Sequence, residues 1–253
     1  MGAVGMKRIL LLWSLTWGIV TIGRAEDSLP HPGHDAWRLS EPIVKTFAIL
    51  DPRRKVLYPV REHLMTPADI PHIETYWKCQ GVFDWPCLID PTIRERRKRG
   101  EAKPWRLAPG VPSFCEETHA WQVWGAELTR KGKTTIEGMI AWRDLPSEGR
   151  TEIAFGETRF RGGYIGVGTI GLAYAVQKAL LKGYEPYVNA YKYPVPDGRP
   201  SPIEWFKGHG LVPTFAFDTP SDTVRLVFPD LEAAKKFLRK VQGYMEKDPI
   251  VTP

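Results

Sequence analysis

Gly210-Leu211-Val212-Pro213-Thr214-Phe215-Ala216-Phe217 leaves a loop and enters an apolar strand. A second apolar run, Thr223 to Phe228, predicts another strand, and a helical pattern follows from Leu231 to Met245. There Leu231, Ala234, Phe237, Leu238, Val241 and Met245 recur at three- and four-residue spacing, with Lys235, Lys236, Arg239 and Lys240 mostly opposite. That is the pattern of a helix burying one stripe. Working back toward the N-terminus, the sequence predicts a short helix (Pro202 to Lys207), a strand (Tyr187 to Tyr193), a helix (about Thr169 to Leu181) and a strand (Glu152 to Phe155). Helix and strand alternate, then a strand pair and a helix close the chain, so residues 151–253 predict a layered α/β or α+β domain.

With these elements in place, Thr151 to Tyr244 resembles the thioredoxin-like superfamily in its order of strand, helix, strand, helix, strand, strand, helix. Val212-Pro213-Thr214, entering an apolar strand, is similar to that family's cis-proline turn, which would expose the Val212 backbone toward the start of the first helix. Redox members carry Cys-x-x-Cys at that helix start, where the helix N-terminus lowers a thiol pKa. The corresponding stretch here, Arg161-Gly162-Gly163-Tyr164-Ile165-Gly166-Val167-Gly168, has no cysteine. The resemblance therefore implies a redox-inactive binding or packing module without a cofactor or metal. Exported domains of this kind resemble pilus-assembly proteins of conjugative secretion systems. The implied role is a non-catalytic component or assembly factor whose partners are other subunits of an envelope or extracellular structure.

The same turn contains Gly166-x-Gly168-x-x-Gly171, the spacing of a dinucleotide fingerprint. Its context argues against a nucleotide, because the preceding strand is weak and the residues some twenty positions on offer only Glu185 as an acid. The alternative is that the glycines supply positive backbone angles or let the helix pack closely on the sheet. His209 would lie near the same helix start.

Compartment is read from the N-terminus. Lys7-Arg8 is a basic region, Ile9 to Ile22 is mostly apolar and Gly23-Arg24-Ala25 is a small-residue cleavage signal, so residues 1–25 are expected to be an export signal. Lys7, Arg8 and Arg24 would leave with it, taking 35 basic against 29 acidic residues to 32 against 29. The mature chain is expected to be periplasmic or extracellular, with no later segment long and apolar enough to span a bilayer.

Three cysteines in an exported chain permit one disulfide, and Cys79, Cys87 and Cys115 leave all three pairings open. A second reading of function, a thiol oxidoreductase or chaperone, would use one of these thiols beside Pro213. Cys115 and His119 are four apart but complete no metal-binding pattern. Phosphate-loop, nucleophile-elbow, zinc-protease and haem-attachment motifs are missing from the sequence.

Residues 26–150 are expected to be an irregular, aromatic-rich N-terminal region. It opens with a Pro-, His- and Gly-rich lead-in, followed by a hairpin from Ile43–Leu50 and Lys55–Val60, and a helix start at Thr66-Pro67-Ala68-Asp69. A longer hairpin with a basic tip at Lys131-Gly132-Lys133 follows, and Ser147-Glu148-Gly149-Arg150 is the expected domain boundary. Arg94, Arg96, Arg97, Lys98 and Arg99 make a basic run that could contact polyanions. A solvated face is the competing reading of this run.

Overall fold

The computed structural model describes residues 34–81, 83–107, 121–159, 164–191, 201–214, 223–247 and 250. Residues 1–25, Cys115, His119, Arg161 to Gly163 and Phe215 to Phe217 lie outside the described residues. The strands are β1 (Ala48–Asp51), β2 (Val56–Pro59), β3 (Arg61–Leu64), β4 (Gln80–Gly81), β5 (Arg106–Leu107), β6 (Gln122–Arg130), β7 (Lys133–Leu145), β8 (Arg150–Thr158), β9 (Glu185–Tyr191), β10 (Val212–Thr214) and β11 (Thr223–Val227). The helices are α1 (Ile70–Tyr76), α2 (Trp85–Ile89), α3 (Ile93–Lys98), α4 (Val167–Leu181), α5 (Pro202–Gly208) and α6 (Leu231–Lys247). No described helix is long and apolar enough to cross a membrane.

Seven strands form one mixed sheet in the order β10-β11-β9-β8-β7-β6-β3. Every neighbouring pair is antiparallel except β8 and β9, which are joined through α4 and run parallel. The long hairpin β6–β7 turns through Lys131 and Gly132, both at positive φ (50° and 72°), the geometry of a two-residue turn matched to strand twist. β1 and β2 pair as the shorter expected hairpin.

Each face of the sheet carries its own core. On one face, Trp124, Ile140, Trp142 and Ile153 pack against α4, α6 and residues 39–60. On the other, Val123, Met139 and Ala141 pack with Ile73, Trp77, Trp85 and Leu88 from α1, the following turn and α2. Helix α4 is buried on almost every side, because the N-terminal segment covers the face turned away from the sheet. Gln177 completes that cover: its Oε1 accepts from Ile43 N (2.9 Å) and Val44 N (2.7 Å), and its Nε2 donates to Val44 O (3.0 Å).

The expected thioredoxin-like domain is corrected by this topology. β8 does not open a self-contained sheet at Thr151. It pairs along its length with β7, from Leu145↔Arg150 to Gly138↔Thr158, and through β7 with β6 and β3. The bond into Pro213 is not cis, there being no cis peptide among the described residues. Local element order was shared with the expected family, whereas strand neighbours were not. What stands is the coarser class, a mixed α/β fold around a central mixed sheet.

Candidate functional site

The parallel pair β8–β9 is short. Its register runs Arg150↔Glu185, Thr151↔Pro186, Glu152↔Tyr187 and Ile153↔Val188, and stops. Beyond that point β8 follows β7 to Thr158, while β9 follows β11 to Tyr191. The cause is a one-residue bulge: Ile153 pairs with Trp142 and Phe155 with Ala141, which leaves Ala154 extra on β8. A bulge bends the strand that carries it and increases the local twist. β8 therefore peels away from β9 and opens a wedge at the carboxyl ends of the parallel strands, where open α/β sheets bind ligands.

Helix α4 starts past the end of β8, with Val167 over Gly138 of β7 and Gly168 near Thr158. Gly138 on β7 makes room for it, since a Cβ there would lie 2.3 Å from Val167 Cγ1 and 3.1 Å from Glu157 O. The N-cap is Gly166 at φ 87°, with no side-chain cap, and the first turn contains no acid. An α-helix leaves its first amide groups unbonded and carries partial positive charge at that end. Neither is answered by the capping residue or by a first-turn carboxylate of this 15-residue helix. Further along, Gly171 lies against the sheet, where an added Cβ would come within 3.5 Å of Trp124 and 3.6 Å of Ile140. The glycine spacing thus serves a turn and close packing.

The other face of the wedge is polar. Beyond the bulge Glu157, opposite Met139, turns toward α2. Its Oε2 accepts from Trp85 Nε1 (2.8 Å) and Phe83 N (3.3 Å), and Trp105 Nε1 donates to Phe83 O (2.9 Å). Two residues on, Arg159 forms a forked pair with Glu137, Nε to Oε2 and Nη2 to Oε1 both 3.0 Å. Glu137 is 2% exposed and also accepts from Thr135 Oγ1 at 2.6 Å. Sequence reasoning missed Glu157, Arg159 and Glu137; their one signal was the alternation Glu157-x-Arg159 continuing past Phe155, where the strand was expected to end.

The residues singled out from sequence fall elsewhere. Val212, Pro213 and Thr214 form β10, one of the sheet's two edge strands, with Val212 exposed. Cys79 is a free thiol near Glu74 O, so a Cys79–Cys87 loop does not form. It follows α1, which packs on β7, and β8, β9 and β11 separate β7 from β10. Cys87 is buried in α2. No thiol among the described residues stands beside Pro213, and Cys115 lies outside them. In the basic run, Arg97 binds Asp84 and donates from Nε to Lys103 O (2.8 Å). Lys98 meets Glu95 (2.7 Å), Arg99 meets Glu101 (2.7 Å) and Arg96 lies 3.9 Å from Asp90. Arg94 also has a partner. Much of the run's charge is thereby compensated within the chain. His209 does lie at the start of the first helix of the βαβ unit: its Nε2 is 3.1 Å from Thr169 Oγ1, and its Nδ1 is 2.8 Å from Trp205 O. Burial, with Lys240 nearby, holds its pKa below the ordinary histidine value. The described residues contain no cluster of three or more metal-ligating side chains.

No protein-family model and no curated protein matches the chain. Solved structures that do match are acetyltransferases. One is N-acetylglutamate synthase from Neisseria gonorrhoeae in complex with coenzyme A and N-acetyl-glutamate (17% identity, 67% of this chain and 34% of that one, TM-score 0.40). A second is nourseothricin acetyltransferase (15% identity, 47% and 70%, TM-score 0.33). A third is PaiA N-acetyltransferase from Thermoplasma acidophilum in complex with coenzyme A (11% identity, 67% and 98%, TM-score 0.39). The chain thus spans about a third of the first of these proteins. None of the three is thioredoxin-like. The expected kinship with thioredoxin-like and conjugative pilus-assembly proteins is withdrawn, and with it the role of non-catalytic assembly factor built on it. At these identities and TM-scores the matches do not make this chain an acetyltransferase.

Proposed function

We propose that this protein transfers an acyl group from a phosphorylated thioester of the coenzyme A type to an amine-bearing acceptor. The observation that carries the reading is the uncapped N-terminus of α4 past the end of β8, a strand whose pairing with β9 has stopped at Ile153. Its free amide groups suit the phosphates of such a donor. Past Ile153 and Val188 the strand edges that face the wedge carry no β8–β9 pairing, which suits an extended, amide-containing arm. The thioester then reaches the end of β8, with Glu157 on the far side.

In the reaction the acceptor nitrogen attacks the thioester carbonyl carbon, a C–N bond forms, and the C–S bond breaks. Glu157 takes the proton from nitrogen, the departing thiolate takes a proton from water to become the free thiol, and Glu157 returns its own to solvent, so that one proton passes in net from nitrogen to sulfur. Trp85 Nε1 and Phe83 N both hold Oε2, fixing the carboxylate's orientation for that transfer.

Acetyl-CoA binding by calorimetry tests the reading. A Gly168→Asp variant places an anion in the first turn, which stabilises the helix by about 0.3–1 kcal/mol while repelling phosphate. Acetyl-CoA affinity is expected to fall at least about tenfold. Failure of the unaltered chain to bind acetyl-CoA, or to release thiol from it with any amine in a panel of small amines and polyamines, overturns the proposal. Export remains a separate proposal, resting on residues 1–25. Intact-mass measurement of the protein from each cell fraction tests it, and a cytoplasmic chain retaining residue 1 rejects it.

A further inference from the structure

A recess adjoins the start of α4. It has a volume of about 530 Å³ and lies between Thr169 of α4, the turn Gly208-His209-Gly210 and helix α6. Its apolar lining includes Phe237 and Val241, both buried, and its rim carries Lys236, Lys240 and Tyr244 on one edge of α6. Tyr244 is 49% exposed.

Two lysines share the rim. Four residues apart on a helix, like charges repel, and elsewhere on α6 the chain balances such charges: Glu232 holds Lys235 at 2.7 Å and lies 3.7 Å from Arg239. Lys236 and Lys240 have no acidic partner among the described residues, and both line the recess. Facing them, His209 is held by Thr169 and by Trp205 O, with its ring edge-on to Phe237 at 5.6 Å. Two uncompensated ammonium groups above an apolar, aromatic floor define a site for an anion attached to a flat, apolar body.

We propose that this recess binds a phosphate-bearing ligand of nucleotide size, with Lys236 and Lys240 on the phosphates and the ring system against the exposed face of Tyr244. Such a ligand could be a free nucleotide or the nucleotide end of a larger donor held at α4. The proposal does not depend on acyl transfer, since the recess and its charges stand whether or not the wedge is catalytic.

ADP binding to the full chain, measured by calorimetry, is the test. A Lys236→Gln/Lys240→Gln variant changes only exposed side chains and is expected to lose roughly 100-fold in ADP affinity, about tenfold per charge-assisted contact. Lys235→Gln on the same helix is expected to stay within twofold of the unaltered chain. Pyrophosphate, which lacks the ring, is expected to bind at least about tenfold more weakly than ADP. Absence of ADP binding, retention by the double lysine variant, an equal loss in Lys235→Gln, or equal affinity for pyrophosphate overturns the proposal. Competition with acetyl-CoA separates the two sources: mutual exclusion assigns the recess to the nucleotide end of the donor, and simultaneous binding assigns it to a free nucleotide.

Discussion

Gly138→Ala is the sharpest probe of how α4 is placed. The new Cβ would sit 2.3 Å from Val167 Cγ1, where carbon atoms normally rest at about 3.5–4.0 Å. A gap of more than about 1 Å must therefore be found. The strand side cannot supply it, because Glu157 O already lies 3.1 Å from the same position, so the first residue of α4 has to move. Overpacking of this kind destabilises by about 1–3 kcal/mol; at about 2 kcal/mol the melting temperature of a domain this size falls roughly 4–8 °C. Val167→Ala alone removes two methyl groups at a buried site and loses about 2 kcal/mol. Combined, the two changes exchange volume across one contact, so the double variant is expected to lose less than about 2 kcal/mol, where additivity would give about 4. Urea unfolding of the four proteins closes the cycle, and acetyl-CoA binding by each reports the helix start. Additivity within about 0.5 kcal/mol would mean that Val167 does not rest on Gly138, and would refute the account of the helix seat.

Other consequences are independent of that cycle. Glu157→Gln keeps an oxygen for Trp85 Nε1 and removes the proton acceptor, so thiol release from acetyl-CoA with an active amine should slow by about 10²–10⁴ with donor affinity unchanged; an undiminished rate removes Glu157 from the mechanism. Because the folded-state pKa of His209 is depressed, its contribution to stability is complete above the unfolded value near 6.5 and is lost as pH falls through the lower folded value. Stability should therefore decline on acidification from about pH 6.5, and a His209→Gln variant should show a shallower decline in urea midpoints between pH 7 and 5; identical slopes exclude this histidine as the cause. Arg97→Ala leaves Asp84, 7% exposed, without its cation and should lose about 2–4 kcal/mol by chemical unfolding. Lys98→Ala, which removes an exposed pair, should stay within about 0.5 kcal/mol, and equal effects would show that the Arg97 pair is a surface contact.

The legible part of this molecule was local. Period-two and period-three-to-four patterns located β6, β7, β9, β11 and α6 to within a few residues, because those periods reflect which side of a strand or helix leaves water. The stripe of α6 from Leu231 to Met245 and the turn at Lys131-Gly132 were readable for the same reason. The pattern could not report which strands are neighbours. The order strand, helix, strand, helix, strand, strand, helix is compatible with a domain that begins at Thr151, and only the pairing of β8 with β7 across Ser147 to Arg150 shows that it continues a seven-stranded sheet.

The candidate site turns on a still smaller feature. One extra residue, Ala154, reverses the face on which every later residue of β8 lies, which puts Glu157 and Arg159 on the α2 side of the sheet. Simple alternation from Ile153 would have placed them beneath α4. The same bulge ends the β8–β9 pairing and opens the wedge. The sequence by itself determined the elements, their order and the amphipathic faces of the surface helices, since these follow from residues close together in the chain. Only the tertiary structure decided the strand neighbours, the splay and the meeting of Glu157 with Trp85, because each depends on contacts between segments that the chain's local pattern does not link.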